Sequence, residues 1–272
     1  MKELYLPDLG YTYPKQHDTH MLVVEEKNPV DLSGEYPFRD RSFGFRLRQF
    51  WFRLFFHAIV LPVCRIRYAL RVEGKIDPEV AKNGLVTVCN HVCMWDMLIV
   101  HCARPFRNLE YPIWRNNMFA GMKNCYRNCG AIPVPDYQKD GREATVRFHR
   151  ALEEVLKEKK WLHVYPEGSL WYYYVPIRDF KKTAFSLAWQ HDVPVVPLCI
   201  SFREPKGIYK WFKKDPCATL HIGAPEYPDR SLNKTEAAQD LMERCRTSMM
   251  HLIGIESEEE NRGLMERYSY ER

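Results

Sequence analysis

The chain has 272 residues, 46% hydrophobic, 14% aromatic and 28% charged, and 40 Lys+Arg against 35 Asp+Glu leave a formal net charge of +5. That length and apolar fraction can bury a sizeable core, which excludes a disordered chain and a disulfide-stapled miniprotein. No apolar run reaches the roughly 20 residues of a spanning helix, so a polytopic protein is excluded, and so small a charge suits an anionic membrane or a phosphorylated ligand rather than nucleic acid.

Residues 1–43 are rich in Pro, Tyr, Asp and Lys without a sustained period and read as an extended or loosely docked N-terminal arm. Their start, MKELYLPDLGYTYPKQ, holds no apolar run and is no signal peptide. Residues 44–72 change character. From Phe50 to Cys64 only Arg53 and His57 interrupt an aromatic and aliphatic run, flanked by Arg46, Arg48, Arg65, Arg67 and Arg71. The run is short for spanning and Pro62 breaks a regular helix, which predicts a membrane-interacting helical segment at the interface, rings at acyl level and arginines on phosphates. The alternative is a core helix packed on the main sheet.

Residues 84–90, GLVTVCN, read as a buried strand ending at Asn90; 94–103 as a helix; 111–116 and 130–135 as short strands. The stretch 141–160 is the clearest amphipathic helix, with Val146, Ala151, Leu152, Val155 and Leu156 on its apolar stripe. A strand and turn follow at 161–168, a helix at 181–191, strands at 193–202 and 218–223, a closing helix at 235–254, and a frayed tail at 256–272. Strands alternating with helices predict an α/β domain over 73–255, its mostly parallel or mixed central sheet flanked by helices. No internal repeat is present.

Nine cysteines is an odd count, and without a leader reduced thiols are expected. Cys89 with Cys93 and Cys125 with Cys129 have a spacing that zinc tolerates. The first pair lies in an apolar stretch and neither lies in a knuckle, so buried thiols are the expectation.

Three constellations carry candidate chemistry. His91 closes a strand, where α/β ligands bind, and Asp96 follows five residues on. Five residues rotate a helix by roughly 140° net. A contact therefore needs His91 in the preceding turn, with Asp96 pointing back to orient a general base. Taken alone, this spacing occurs often by chance and the pair reads as a core histidine and a helix N-terminal carboxylate. Glu167-Gly168-Ser169 leaves a second strand and could bind a hydroxyl-bearing or phosphorylated substrate; the bland reading is a strand-ending turn. The nucleophile-elbow pattern around Ser169 is absent. Arg178, Lys181 and Lys182 precede a helix start, where cations oppose the dipole unless an anion compensates; a solvated basic turn is the alternative.

Together these pieces resemble the glycerophospholipid acyltransferase family, specifically the 1-acylglycerol-3-phosphate acyltransferases. Asn90, His91 and Asp96 match its Asn-His-x4-Asp block, and Gly130-Ala131-Ile132 weakly match its Gly-x-Ile strand. Pro166-Glu167-Gly168-Ser169 match Pro-Glu-Gly-Ser/Thr, Phe180 to Ala184 match the start of Phe-Lys-x-Gly-Ala-x4-Ala, with Ala188 one position short of its last alanine, and Val193 to Leu198 match the Val-Pro-Val-x-Pro block. The order and spacing fit across about 85–200. Pro133-Val134-Pro135-Asp136 and Leu170 stand where the family often has arginines, and Thr183 where it has glycine.

The resemblance implies direct acyl transfer from acyl-CoA or acyl-carrier protein to the hydroxyl of 1-acylglycerol-3-phosphate, giving phosphatidic acid in phospholipid biosynthesis. It makes His91 the base and Asp96 its orienter, with an oxyanion donor near Gly168. Asn90, Glu167 and Ser169 would bind substrate, with Arg115, Arg178, Lys181 and Lys182 for the phosphate. No cofactor or metal is implied. The expected place is the cytoplasmic face of a membrane, peripheral or monotopic, with membrane lipids and the lysophospholipid as partners and no nucleic acid. Another acceptor (glycerol-3-phosphate, another lysophospholipid, an aminoacyl lipid), a non-catalytic lipid-binding protein and a thioester hydrolase are the alternatives. Rings gathered at 50–56, 170–175 and 208–212, each near Arg or Lys, are expected to form a membrane-facing rim around the site.

Overall fold

A computed structural model describes residues 4–17, 19–21, 30–103, 109–118 and 121–270. Seven strands form the central sheet: β1 (Arg71–Glu73), β2 (Leu85–Val88), β3 (Leu109–Trp114), β4 (Ala131–Val134), β5 (Trp161–Val164), β6 (Val195–Arg203) and β7 (Cys217–Ile222). Their order is β1-β7-β6-β2-β5-β3-β4, and among these seven described strands only β6 and β7 pair antiparallel, so the sheet is mixed and mostly parallel as expected. All four residues of the central β2 are buried, because helices cover both faces of a parallel sheet. Leu85 pairs with Trp161 and Val88 with Val164, so β2 and β5 end level with one another. That register brings the segments after both strands, 89–96 and 165–169, to one edge of the sheet.

Helices α3 (Pro78–Lys82), α4 (Asp96–His101), α5 (Lys123–Cys129), α6 (Tyr137–Lys157), α7 (Thr183–His191), α8 (Tyr209–Phe212) and α9 (Lys234–Leu252) follow the chain between and after the strands. Short elements with no period, β1, α3, α5 and α8, were not legible as hydrophobic patterns. The long amphipathic helix starts earlier than expected, at Tyr137, because Asp136 caps it through the Gln138 N–H at 2.9 Å. Gly141, at φ 79°, interrupts it within that first part. Gly130 caps α5 at φ +104°, and a Cβ there would meet the Leu109 carbonyl at 2.3 Å, so the Gly-x-Ile block begins with a packing requirement.

Two expectations at the ends of the chain are corrected. The segment 44–72 does not break at Pro62: α1 (Phe43–Phe55), a π-helical turn (Phe56–Val60) and α2 (Leu61–Arg67) run on as one helix of 25 residues, long and apolar enough to cross a membrane by length and composition. The wider π turn just ahead of Pro62 accommodates its ring and its missing N–H. Phe43, Leu47, Phe50, Trp51, Leu54, Phe55, Ile59, Val63 and Ile66 are exposed, while Phe45, Phe56, Leu61 and Cys64 pack inward. The tail is not frayed. Ser257 caps α10 (Glu258–Met265), whose Asn261 and Leu264 are buried.

The described part of the N-terminal arm docks. Tyr13 and Leu32 are buried, and the Tyr13 N–H donates to the Ser269 carbonyl at 2.9 Å, joining arm and tail. The rest of the arm, 1–3, 18 and 22–29, lies outside the described residues.

Candidate active site

Asn90 ends β2 by spending its amide on β6. Its Nδ2 donates to the Ile200 carbonyl at 2.9 Å and its Oδ1 accepts the Ile200 N–H at 2.8 Å. Both ends are buried and engaged, so Asn90 fixes the strand end and does not reach a substrate, contrary to its expected binding role. The next residue turns out of the sheet. His91 Nδ1 lies 2.5 Å from Asp96 Oδ2, the carboxylate at the first position of α4. Asp96 is 2% exposed and the His91 side chain 23%, and among the described residues nothing bonds His91 Nε2. The pair is thus a histidine with one nitrogen held by a buried carboxylate and the other turned to the open side, the arrangement of an oriented general base.

The His91 ring stacks on Tyr165 with centroids 4.1 Å apart and planes 12° from parallel. Burial, and then the Asp96 carboxylate beside it, push the Tyr165 phenol well above its usual range, so the ring beneath His91 stays neutral. Below it His163 makes an edge contact at 4.6 Å. Burial depresses the His163 pKa to about 3.

Glu167 and Arg178 form the second part of the site. Glu167 Oε2 accepts the His91 backbone N–H at 3.1 Å and the Arg178 Nη2 at 2.6 Å, and its Oε1 accepts the Arg178 backbone N–H at 3.1 Å. Arg178 also donates to the His17 carbonyl at 2.8 Å and to Ser169, and lies 4.4 Å from the Trp171 ring centre. Both side chains of the ion pair are 1% exposed. The expected substrate roles of Glu167, Ser169 and Arg178 are therefore corrected. A guanidinium with its charge neutralised inside the protein is closed to a phosphate, and the Ser169 hydroxyl is spent on the His17 carbonyl and Arg178.

Arg115 is likewise buried, in an ion pair with Asp140. The Gly168 N–H donates to the Tyr165 carbonyl at 3.1 Å, so it closes its own turn instead of waiting for an oxyanion. Two expected cations remain on the open side. Lys181 and Lys182 are exposed, and a Cβ on Gly168 would meet Lys181 Nζ at 3.0 Å, which puts that ammonium directly over the turn.

The aromatic run 170–175 is not a rim. Trp171 and Tyr174 are fully buried, and the N–H groups of Trp171 and Tyr173 donate to the carbonyls of His91 and Val92 at 3.0 and 2.8 Å. The run clamps the histidine segment from inside. The arm adds groups that no spacing in the sequence signalled: the His17 and Thr19 carbonyls hold Arg178 and Trp171, and His20 stacks on Trp114 at 4.7 Å. Burial first, then His91, Lys181 and Arg178 nearby, lower the His20 pKa. Cys89, Cys93 and Cys129 are buried thiols, and among the described residues no three His, Cys, Asp or Glu side chains gather as a metal site.

A family model described as Acyltransferase matches residues 69–201, a span that contains His91, Asp96 and Glu167. A Saccharomyces cerevisiae 1-acyl-sn-glycerol-3-phosphate acyltransferase is 41% identical over 157 residues, 55% of this chain and 47% of that protein, so the chain spans about half of its length. A Caenorhabditis elegans protein provisionally given the same activity name is 26% identical over 213 residues, 77% of this chain and 78% of its own. The crystal structure of the Thermotoga maritima 1-acyl-sn-glycerophosphate acyltransferase PlsC superposes with a TM-score of 0.52 at 19% identity, covering 79% of this chain and 84% of that one. That last likeness is one of fold.

Proposed function

Residues 69–201 form an acyltransferase-family domain, and on that premise we propose that this acyltransferase moves a fatty acyl group from an acyl thioester to the free hydroxyl of 1-acylglycerol-3-phosphate, giving phosphatidic acid at a membrane surface. The observation that carries the reading is the His91–Asp96 pair, one nitrogen bound to a buried carboxylate and the other open.

His91 Nε2 takes the proton of the acceptor hydroxyl while the oxygen attacks the thioester carbonyl. The tetrahedral intermediate collapses, the C–S bond breaks, and the proton passes from His91 to the departing thiolate. Asp96 keeps Nδ1–H pointed inward and stabilises the imidazolium between the two steps. Glu167 acts from behind, holding the His91 backbone, and Arg178 holds Glu167. With Arg115 and Arg178 closed off, Lys181 and Lys182 are the cations left for the acceptor's phosphate. The outward apolar stripe of the 43–67 helix supports docking at the bilayer that holds the acceptor.

The test is transfer from one acyl thioester to a panel of acceptors, read by mass spectrometry. Acylated product with 1-acylglycerol-3-phosphate and thiol in equal amounts supports the reading. Thiol with free fatty acid and no acceptor dependence would show a hydrolase instead.

A further inference from the structure

The same molecule holds a concavity of about 1170 Å³ beside β6, β7 and β1. Register pairs Arg71 with Thr219 and Glu73 with His221 across β1 and β7, and Ser201 with Thr219 across β6 and β7. Alternate residues share a sheet face, so Ser201, Arg203, Thr219, His221, Arg71 and Glu73 form one floor. A sheet face in an α/β fold ordinarily carries apolar side chains under a helix. This one carries charge and hydroxyls facing an open cleft.

The floor is tied together internally. Ser201 Oγ and His221 Nε2 are 2.8 Å apart, His221 Nδ1 meets Glu73 Oε2 at 3.2 Å, and Arg203 Nε donates to Thr219 Oγ1 at 2.7 Å. The Glu73 carboxylate therefore faces a histidine. Arg65, Arg71, Lys206 and Arg267 line the cleft, and among the described residues none of the four has a hydrogen-bonded or ion-paired side-chain partner. Burial lowers the Arg203 pKa, and the neighbouring Arg71 adds to the shift. Leu6, Ile66 and Ile253 give the cleft apolar wall, and Tyr5 and Tyr209 give it ring faces.

The cleft adjoins the His91 site. Asn90, next to His91, bonds Ile200, and the following residues Ser201 to Arg203 are cleft lining. Tyr173, whose N–H is bonded to Val92, packs on Phe202 with centroids 5.0 Å apart.

We infer that this cleft binds a phosphate-bearing ligand, and that its ligand is the nucleotide end of a CoA thioester donor. The donor half of this inference rests on the acyl-transfer reading above. CoA carries a 3′-phosphate and a diphosphate, which match several unpaired cations, and an adenine, which matches the ring faces. Its extended pantetheine arm then runs along the sheet edge toward His91.

The test has a binding arm free of catalysis. The full chain in detergent is titrated with CoA and, separately, with a soluble short-chain phosphatidic acid, for wild type and for Arg71→Glu/Lys206→Glu. Both residues are on the cleft surface, and circular dichroism checks that the variant is folded. CoA binding that weakens about tenfold or more in the variant is the expected result. Saturable binding of the short-chain lipid alone, weakened by the same charge reversal, keeps the phosphate site and overturns the CoA assignment. Binding of neither, or CoA binding untouched by the charge reversal, overturns the inference. In a kinetic arm, the advantage of acyl-CoA over acyl-pantetheine in kcat/KM falls by a similar factor in the variant. If wild type binds CoA yet transfers acyl groups from neither donor, the acyl-transfer reading fails while the cleft assignment stands.

Discussion

Glu167 Oε2 accepts the backbone N–H of His91 at 3.1 Å, which ties the turn after β5 to the turn after β2. The same oxygen accepts Arg178 Nη2, so one buried carboxylate joins three separate stretches of chain. Its work is to hold the histidine backbone steady while Asp96 holds the ring. A base whose position is determined from both sides loses little on binding substrate.

Glu167→Ala leaves Arg178 buried without its counter-charge and is expected to cost about 3–5 kcal/mol of stability. Glu167→Gln keeps an acceptor for the His91 N–H and is expected to cost less. Glu167→Gln/Arg178→Met is expected to recover part of the loss, because no uncompensated charge remains. Denaturant unfolding of the three variants checks the order.

His91→Ala is expected to lower kcat by about 10²- to 10⁴-fold, the usual contribution of a general base, with little change in unfolding midpoint. Asp96→Asn is expected to fall in the same range through loss of ring orientation. Thiol release in a single-turnover assay measures both. Transfer at the wild-type rate in His91→Ala would remove the histidine from the mechanism.

His163 links stability to acid. Its folded pKa is about 3, below the 6.5 of the free side chain, so between these values the unfolded chain binds a proton that the fold excludes. The stability tied to the neutral ring is present above pH 6.5 and is lost as pH falls toward 3. The slope attributable to this group is about 1.4 kcal/mol per pH unit within that window. His163→Gln, which can still bond Thr87, is expected to flatten the acid limb of the stability profile.

The outward stripe of the 43–67 helix is testable without disturbing the core. Phe50, Trp51, Phe55 and Ile59 are all more than half exposed, so changing them to Ser is expected to leave the fold within about 1 kcal/mol of wild type. Sedimentation with anionic liposomes is expected to be largely lost, since each large side chain contributes on the order of 1.5–3 kcal/mol when buried in apolar surroundings. Undiminished sedimentation would rule out the stripe as the docking face.

Asn261 brackets Ile177, accepting its N–H and donating to its carbonyl, both at 2.9 Å. Asn261→Ala leaves the buried Ile177 N–H unpaired, while the Ile177 carbonyl keeps Arg246 Nη2 at 3.0 Å, and is expected to cost about 1–3 kcal/mol. Because Ile177 precedes Arg178, kcat is expected to fall as well, and a parallel measurement of unfolding and turnover checks whether the two losses travel together.

The alternating strands and helices were legible because a buried parallel sheet needs short apolar runs, as at Leu85–Val88 and Val195–Arg203, and these need no partner to be recognised. His91, Asp96 and Glu167 were legible as a set through the ordered blocks of a family, and only their order raised them above chance. Hidden from that reading were the positions whose meaning depends on a distant partner. Arg178 looked like a phosphate ligand because spacing shows a charge and its neighbours along the chain, whereas its fate was set by Glu167 and by the His17 carbonyl, 161 residues away. Trp171 and Tyr174 looked like a lipid-facing cluster for the same reason, and burial by the arm and tail made them a clamp.

The aromatic load and the small positive charge thus divide in three dimensions. By itself the amino-acid sequence determined that the chain folds around a buried sheet, that one segment is an aromatic and aliphatic run flanked by arginines, and that a histidine and a carboxylate stand where strands end. Local period and spacing express those facts directly. Only the tertiary structure decided which arginines are neutralised inside, which lysines face out, and that unpaired cations meet in a cleft beside β6, β7 and β1. Burial and counter-charge are properties of through-space neighbours, and those neighbours come together only once the sheet order and the docked ends of the chain are in place.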